Sequence, residues 1–283
     1  MTVPVSVVIP TLGRREGVLR CIGAVSSGDV LPAEIVLVEQ SGDESLVEAC
    51  ANAAAPVRLV AVRKAAGGLS AARNAALAVA QQPLVAVTDD DCVPEPGWLA
   101  SAVAALDADP SLVAVCGPVL PLPDPSGTLV PVSSRTSTTA TTFTRTHEPW
   151  RIGSGGNLVV RADALRRIGG YDERLGAGSA GGAGEDVDVL HRLLRLGPIR
   201  YEPGAAVQHE QKPAEARRAT RGRYGRGVGA AVGIWLRSGE LSAALVLLQW
   251  LLLRLRLLPR DGAELRVLAG TAGGLLYGLR ARR

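Results

Sequence analysis

From Val5 to Thr88, short apolar runs alternate with stretches of helical spacing. Val5 to Ile9 is a β-branched run closed by Pro10, and Arg15 to Ala24 follows with helix-compatible periodicity, so the opening predicts strand, loop, helix. The same alternation predicts a strand over Glu34 to Val38, a helix over Leu46 to Ala54 and a strand over Val57 to Val62. An alanine-rich helix over Ser70 to Ala80, introduced by Gly67 and Gly68, then leads to a fully apolar strand, Leu84 to Thr88. Strands that alternate with helices imply βαβ crossovers and a mostly parallel, Rossmann-like α/β sheet, in which ligands bind beyond the carboxyl ends of the strands.

That last strand runs into Asp89, Asp90 and Asp91, and Pro94 and Pro96 hold off the next helix until about Trp98. Beyond an apolar stretch at Val113 to Val119, the Pro/Ser/Thr-rich segment Pro121 to Thr146 predicts exposed loops or edge strands over the site, with room for acceptor contacts. Regular pattern returns with a strand at Asn157 to Val160, a helix from about Asp163 to Ile168, the turn Gly169-Gly170 and a glycine-rich loop, Gly176 to Gly184, that reads as a hinge. An amphipathic helix, Val187 to Leu196, and a strand, Ile199 to Val207, follow. Past His209 comes a basic stretch with Arg217, Arg218, Arg221, Arg223 and Arg226, then the apolar run Leu241 to Leu258. The expected division is therefore an α/β domain over 1–211 and a basic, leucine-rich helical extension over 212–283. Gln249, Arg254, Arg256 and Pro259 interrupt the apolar run short of the ~20 clean residues that a spanning helix needs, so it predicts an in-plane or docked helix.

Composition narrows the partners. Aromatic residues make up only 3%, too few for base-stacking platforms, which removes nucleic acid from the expected ligands. The net charge of +4 suits an anionic partner such as a phosphate ester, nucleotide or acidic lipid surface. Cys21, Cys50, Cys92 and Cys116 lack any CxxC or zinc-finger spacing and read as reduced packing residues. Met1 to Pro10 lacks the basic and apolar regions of a signal peptide, so the catalytic part is expected in the cytoplasm, with the C-terminal helices able to sit on the inner face of the membrane.

Three adjacent carboxylates on a turn repel unless a cation or arginine neutralises them, and hard oxygen ligands of this kind hold Mg²⁺ or Mn²⁺; the plain alternative is a solvated acidic turn. Glu185 and Asp186 open the amphipathic helix, where carboxylates also serve simply as helix-terminal charges. A flexible loop just before them favours a base that meets a bound acceptor. His209 stands among polar neighbours, and His147 and His191 read as surface or satisfied residues. In Gly67 to Asn74, two glycines and a serine ahead of a helix leave N–H groups and Arg73 able to face a phosphate, but the spacing is neither a P-loop nor GxGxxG.

Together these segments resemble the family 2 glycosyltransferases over about Val5 to His209, in order and in spacing. VSVVIPTLGR is similar to the family's first strand and donor loop, which implies that Pro10, Thr11, Gly13 and Arg14 border the nucleotide. GGLSAARNAAL resembles its glycine-plus-ARN segment, implying Gly68 and Arg73 at the donor. TDDDC resembles the DxD motif, with Asp89 and Asp90 on the donor side and Asp91 as metal ligand. SGGNLVVRADALRRIGGYDERLG is similar to the acceptor-side segment, implying Gly155, Gly156 and Asn157 there, and GEDVDVLHRLLRLG resembles the ED motif, with Glu185 on the acceptor side and Asp186 as catalytic base. The strand that ends in His209 resembles one whose histidine completes the metal shell. Glu39 stands where the family usually has an aspartate on the base, so Glu39 must reach further or the base contact differs.

The resemblance implies a GT-A fold, a Mn²⁺ or Mg²⁺ cofactor, and an inverting displacement that carries a sugar from a UDP- or dTDP-sugar to a glycan or lipid-linked acceptor, in cell-surface glycan or glycolipid synthesis. Two other classes remain open: a catalytically silent nucleotide-sugar-binding scaffold, which would have lost Asp91 or Asp186, and a metal-dependent nucleotidyltransferase, which would need no ED motif.

Overall fold

The computed structural model describes residues 1–132, 135–144 and 148–281; His147 lies outside them. The first half follows the predicted alternation: β1 (Thr2–Thr11), α1 (Arg15–Ser26), β2 (Leu31–Glu39), α2 (Glu44–Ala54), β3 (Arg58–Arg63), α3 (Leu69–Val79) and β4 (Leu84–Thr88). α2 starts two residues before the expected Leu46 because the Asp43 side chain accepts the Leu46 N–H at 3.1 Å, a cap that fixes the first turn. After β4 come β5 (Cys92–Pro94), α4 (Trp98–Ala108), β6 (Ala114–Cys116), β7 (Val119–Pro121) and β8 (Thr141–Phe143). They are followed by β9 (Asn157–Arg161), α5 (Ala162–Arg167), α6 (Glu185–Leu193), β10 (Ile199–Tyr201) and β11 (Val207–His209). The chain then forms α7 (Ala214–Arg237), α8 (Ala243–Leu257) and α9 (Glu264–Arg280).

The main sheet has eight strands in the order β3-β2-β1-β4-β9-β6-β10-β8. β3, β2, β1 and β4 are mutually parallel, β9 is antiparallel to both of its neighbours, and β6 and β10 run parallel to each other. Chain direction across the sheet reverses beside β1, whose neighbours β2 and β4 lead outward on opposite sides, so the ends of β1, β2 and β4 face one crevice. Both faces are covered: one core runs through Val5, Val7, Ile9, Ile22, Leu37 and Trp98, the other through Val8, Val36, Val87, Leu158 and Leu190. Continuous apolar runs suit such a doubly covered sheet, which is why β4 reads as unbroken hydrophobe.

The expected single strand Ile199 to Val207 is two. Pro203-Gly204 breaks it, β10 stays in the main sheet, and β11 crosses to a three-stranded sheet, β5-β11-β7. Val113 to Val119 divides in the same way between β6 and β7.

The C-terminal helices pack on α6 through a third core that contains Trp150, Val187, Trp235 and Trp250, taking residues from both sides of position 211. α7 and α9 touch backbone to backbone. A Cβ on Gly229 would overlap the Thr271 carbonyl, and one on Gly274 the Arg226 carbonyl. Among the described residues no helix is long and apolar enough to cross a membrane. α8 instead buries Ala243 and Trp250 and exposes Leu245, Leu248, Leu252 and Leu255 along its other side, continuing from Leu241 in the turn before it.

Candidate active site

At the carboxyl edge of the sheet, Thr11 is in register with Glu39, and Asp89, Asp90 and Asp91 leave β4 beside them. The three aspartates part company at once. Asp90 turns back to β1, where it accepts from the Thr11 hydroxyl at 2.8 Å and from Arg14 at 3.1 Å. Asp91 faces a cationic shell: Arg14 at 2.8 Å, His209 Nε2 at 3.3 Å and Lys212 Nζ at 3.8 Å. Arg14 also reaches Glu210 at 2.7 Å, which Arg20 joins. Burial, with Asp91 and Asp89 nearby, pushes the Asp90 carboxyl up to about 6 against the pull of Thr11 and Arg14. Burial works the same way on Asp91, but His209, Arg14 and Lys212 outweigh it and hold that group below the usual range.

Topology explains how His209 arrives there. β5 begins one residue after Asp91 and pairs antiparallel with β11, placing Cys92 opposite His209. His209 Nδ1 lies 2.7 Å from the Glu210 carbonyl, an acceptor that takes the Nδ1 proton, so Nε2 is the ring nitrogen that faces Asp91. Asp91, His209 and Cys92 present their ligand atoms within 4.8 Å of one another. Burial, followed by Asp89 and Asp91, pushes the Cys92 thiol far up, which favours carboxylate oxygen and imidazole nitrogen as the donors. That donor set fits Mn²⁺ or Mg²⁺ with further oxygens from a substrate.

Arg73, on α3, joins the two acidic motifs. Its side chain is 1% exposed; Nη2 contacts Asp89 at 2.7 Å, Nη1 contacts Glu185 at 3.3 Å, and the guanidinium lies 5.3 Å from the Tyr171 ring centroid. Asn74, the next residue, accepts the Tyr171 N–H at 2.8 Å and donates to its carbonyl at 2.9 Å. Gly155 slots between the partners, since a Cβ there would sit 3.1 Å from both Arg73 Nη1 and the Asp186 Cβ, and one on Gly156 would lie 2.7 Å from Asp89 Oδ2. Burial, followed by the neighbouring Asp186, pushes Glu185 up to about 7 although Arg73 opposes it. Burial also raises Asp186 against the Val187 N–H and Arg73. Sequence position alone, at a helix N-terminus, argues for a depressed aspartate; desolvation reverses that sign.

Several expected site residues have other occupations. Both Glu39 oxygens fold onto their own loop, accepting from the N–H and hydroxyl of Ser41 and from the Gly42 N–H at 2.8 Å, which holds the group low despite its burial. Glu39 thus holds the turn that follows β2. The N-terminus of α3 is also closed. The Leu69 N–H donates to the Ala177 carbonyl at 2.8 Å, Ser70 Oγ donates to the Leu175 carbonyl at 2.7 Å, and Gly68 packs against Ala177. Asn157 turns into the core, with Nδ2 on the Pro118 and Ala205 carbonyls and Oδ1 on Trp98 Nε1, leaving its side chain no atom for an acceptor. The glycine loop is tethered rather than loose, through the Gly176 N–H to the Ala183 carbonyl and a backbone contact between Gly184 and Gly227 of α7. Pro10 is buried at the end of β1, and Gly13 turns the loop after it with φ of 72°.

Lys212, Glu210, Arg20 and Tyr224 were not singled out for the site. Tyr224 feels the charges of Asp186 and Glu185 from α7 and lies 5.8 Å from Trp250, which in turn meets Trp150 at 5.1 Å. His191 stacks on Trp235 at 3.9 Å and its Nε2 lies 2.8 Å from Glu240, so it is a satisfied packing residue. All four cysteines are free and buried.

Residues 6–169, more than half of the chain, match the description "Glycosyl transferase family 2". The chain is 29% identical over 235 residues to a pre-mycofactocin glycosyltransferase of Mycobacterium tuberculosis; the match covers 76% of this chain and 45% of that protein, so the chain spans under half the length of that relative. In fold it is similar to the mannosyltransferase PcManGT of Pyrobaculum calidifontis, solved with GDP-Man and Mn²⁺: TM-score 0.64, 20% identity, 96% of this chain and 87% of that one. It is also similar to S. aureus TarS 1-349 in complex with UDP-GlcNAc: TM-score 0.60, 19% identity, 81% of this chain and 65% of that one. These neighbours share the GT-A architecture with its mostly parallel sheet.

Proposed function

The chain belongs to glycosyl transferase family 2, and from that premise we propose that it transfers a sugar from a nucleoside diphosphate sugar to an acceptor hydroxyl with inversion at the anomeric carbon. The observation that carries this reading is Arg73, which ties the acidic turn at Asp89 to the acidic helix start at Glu185 and makes one site of two distant motifs. A nucleotidyltransferase would have no use for a second acidic motif held in this way.

Asp186 is the base. Desolvation raises its proton affinity, so the carboxylate withdraws a proton from an acceptor hydroxyl more effectively than an exposed aspartate would. The acceptor oxygen then bonds to the anomeric carbon as the bond from that carbon to the diphosphate oxygen breaks, and the electron pair leaves with the nucleoside diphosphate. Asp91 and His209 would hold Mn²⁺ or Mg²⁺, which when bound supplies positive charge to the departing diphosphate. Arg14 and Lys212, both beside Asp91, would contact the same phosphates. Glu185 positions Arg73 and shares its charge with Asp89. A uridine or thymidine diphosphate sugar is the proposed donor, and a glycan or lipid-linked hydroxyl the proposed acceptor.

The test is a donor panel: the protein with Mn²⁺ and a series of nucleotide sugars, read as release of nucleoside diphosphate, beside Asp91→Ala and Asp186→Ala. One donor should turn over slowly, with activity lost on chelation and in both variants. If no donor binds and Mn²⁺ does not bind either, the catalytic reading fails in favour of a scaffold.

A further inference from the structure

α8 has two unlike sides. Trp250 and Ala243 face inward, while Leu241 in the turn before it and Leu245, Leu248, Leu252 and Leu255 along it recur at intervals of four and three and are exposed, Leu241 to 80% and Leu245 to 64%. α9 repeats the arrangement with Leu265 and Leu276. Soluble proteins rarely leave continuous leucine stripes uncovered, so something of low polarity covers these.

Charge identifies what. Residues 213–283 carry thirteen arginines against four acids. Three of the acids are already paired: Asp261 and Glu264 hold Arg221, Glu264 also holds Arg254 at 3.3 Å, and Glu240 holds His191 and Arg195; the fourth, Glu215, is exposed in the first turn of α7, away from α8 and α9 in the sequence. Arg256, Arg260, Arg266 and Arg280, exposed at the borders of the leucine stripes, have no carboxylate partner among the described residues. A second copy of the same face would set these arginines against their own counterparts, which is repulsive. An anionic bilayer surface accepts both features, with leucines entering the acyl boundary and arginines meeting phosphate headgroups. We propose that α8 and α9 form an in-plane docking surface for an anionic lipid bilayer.

The position of the site agrees with this. Trp250, on the inner side of α8, touches Tyr224, which lies within the electrostatic reach of Asp186. The inner side of α8 thus meets the α7 residue that stands near the proposed acceptor side of the site. On the transferase reading, an acceptor anchored in the same membrane comes within reach without leaving it.

Flotation of the full chain with vesicles tests the proposal and needs no turnover, so it stands apart from the donor panel. Phosphatidylcholine vesicles containing phosphatidylglycerol should carry the protein up the gradient, phosphatidylcholine alone should not, and added salt should weaken the association. Leu248→Ser with Leu252→Ser should reduce partition roughly tenfold or more, as should Arg256→Gln with Arg260→Gln and Arg266→Gln, while circular dichroism and thermal midpoints stay at wild-type values. Equal binding to both vesicle types would overturn the proposal, as would no binding to either. A wild-type dimer in light scattering that the leucine variant makes monomeric, without flotation of either protein, would assign the face to a second copy instead.

Discussion

Replacing Arg73 by methionine, of similar length and without charge, separates the electrostatic work of this residue from its packing. The guanidinium is 1% exposed and contacts Asp89 at 2.7 Å and Glu185 at 3.3 Å, so its loss removes the cation from both acids and strands Glu185 in a site that already disfavours its ionisation. Breaking a buried pair from one side typically costs about 3–5 kcal/mol, which for a chain of this size is on the order of 10 °C in thermal midpoint. The pH dependence follows from Glu185. Its folded value of about 7 exceeds its ordinary 4.5, so its contribution to stability is fully present below about 4.5 and is lost as pH rises through 7, where the folded state must ionise it. Without Arg73 the Glu185 carboxyl rises further, and the acid form, which needs no cation, tolerates the change. Arg73→Met should therefore be strongly destabilised at pH 8 and much less so at pH 5.5, as read by urea midpoints from circular dichroism at both values. A variant within about 1 kcal/mol of wild type at pH 8, or one that suffers equally at both pH values, would refute the assignment of Arg73 as the electrostatic link between the motifs.

Asp186 is raised by burial, so turnover with a saturating donor should climb with pH across an acid limb lying above the ordinary aspartate range, and Asp186→Asn should remove turnover about 10²–10⁴-fold while donor still binds by calorimetry. Trp235→Phe removes the 2.8 Å bond from the indole to buried Asp188, and should cost about 1–3 kcal/mol in chemical denaturation without altering donor affinity. Gly229→Ala places a methyl on the Thr271 carbonyl at the contact of α7 with α9, and should lower the thermal midpoint by an amount equivalent to about 1–3 kcal/mol; an unchanged midpoint would mean that the helices part freely.

The parts of the fold that rest on local pattern were legible. β4 is an unbroken apolar run because it is covered on both faces, and the acids that follow it sit at the sheet edge for the same reason. The break at Pro203-Gly204 also has a local signal, a turn dipeptide, although Ile199, Tyr201 and Val207 on either side favour a continuous strand. What no local pattern carries is pairing at a distance. Arg73 meets Glu185 across 112 positions, and Lys212 reaches Asp91 because β11 pairs with β5 and the Glu210 N–H bonds the Asp91 carbonyl. The local bonding of Glu39 is likewise invisible in the sequence: a carboxylate two residues before a serine and three before a glycine with φ of 81° accepts from its own loop, and sequence position does not distinguish that from readiness for a ligand.

The glycine contact between α7 and α9 has a consequence for how the molecule comes apart. α7 contains five glycines and α9 four, each worth roughly 1 kcal/mol against helix formation, so neither segment would hold its helix alone. Each is helical because the other's backbone lies against it, and the pair should form or melt as one unit in hydrogen exchange. α7 also supplies Gly227 beneath Gly184 and Trp235 against Asp188, on either side of Asp186. Opening of that pair would therefore register at the proposed base before it registered in the sheet, making the protection of α9 amides a remote gauge of whether Asp186 is in place.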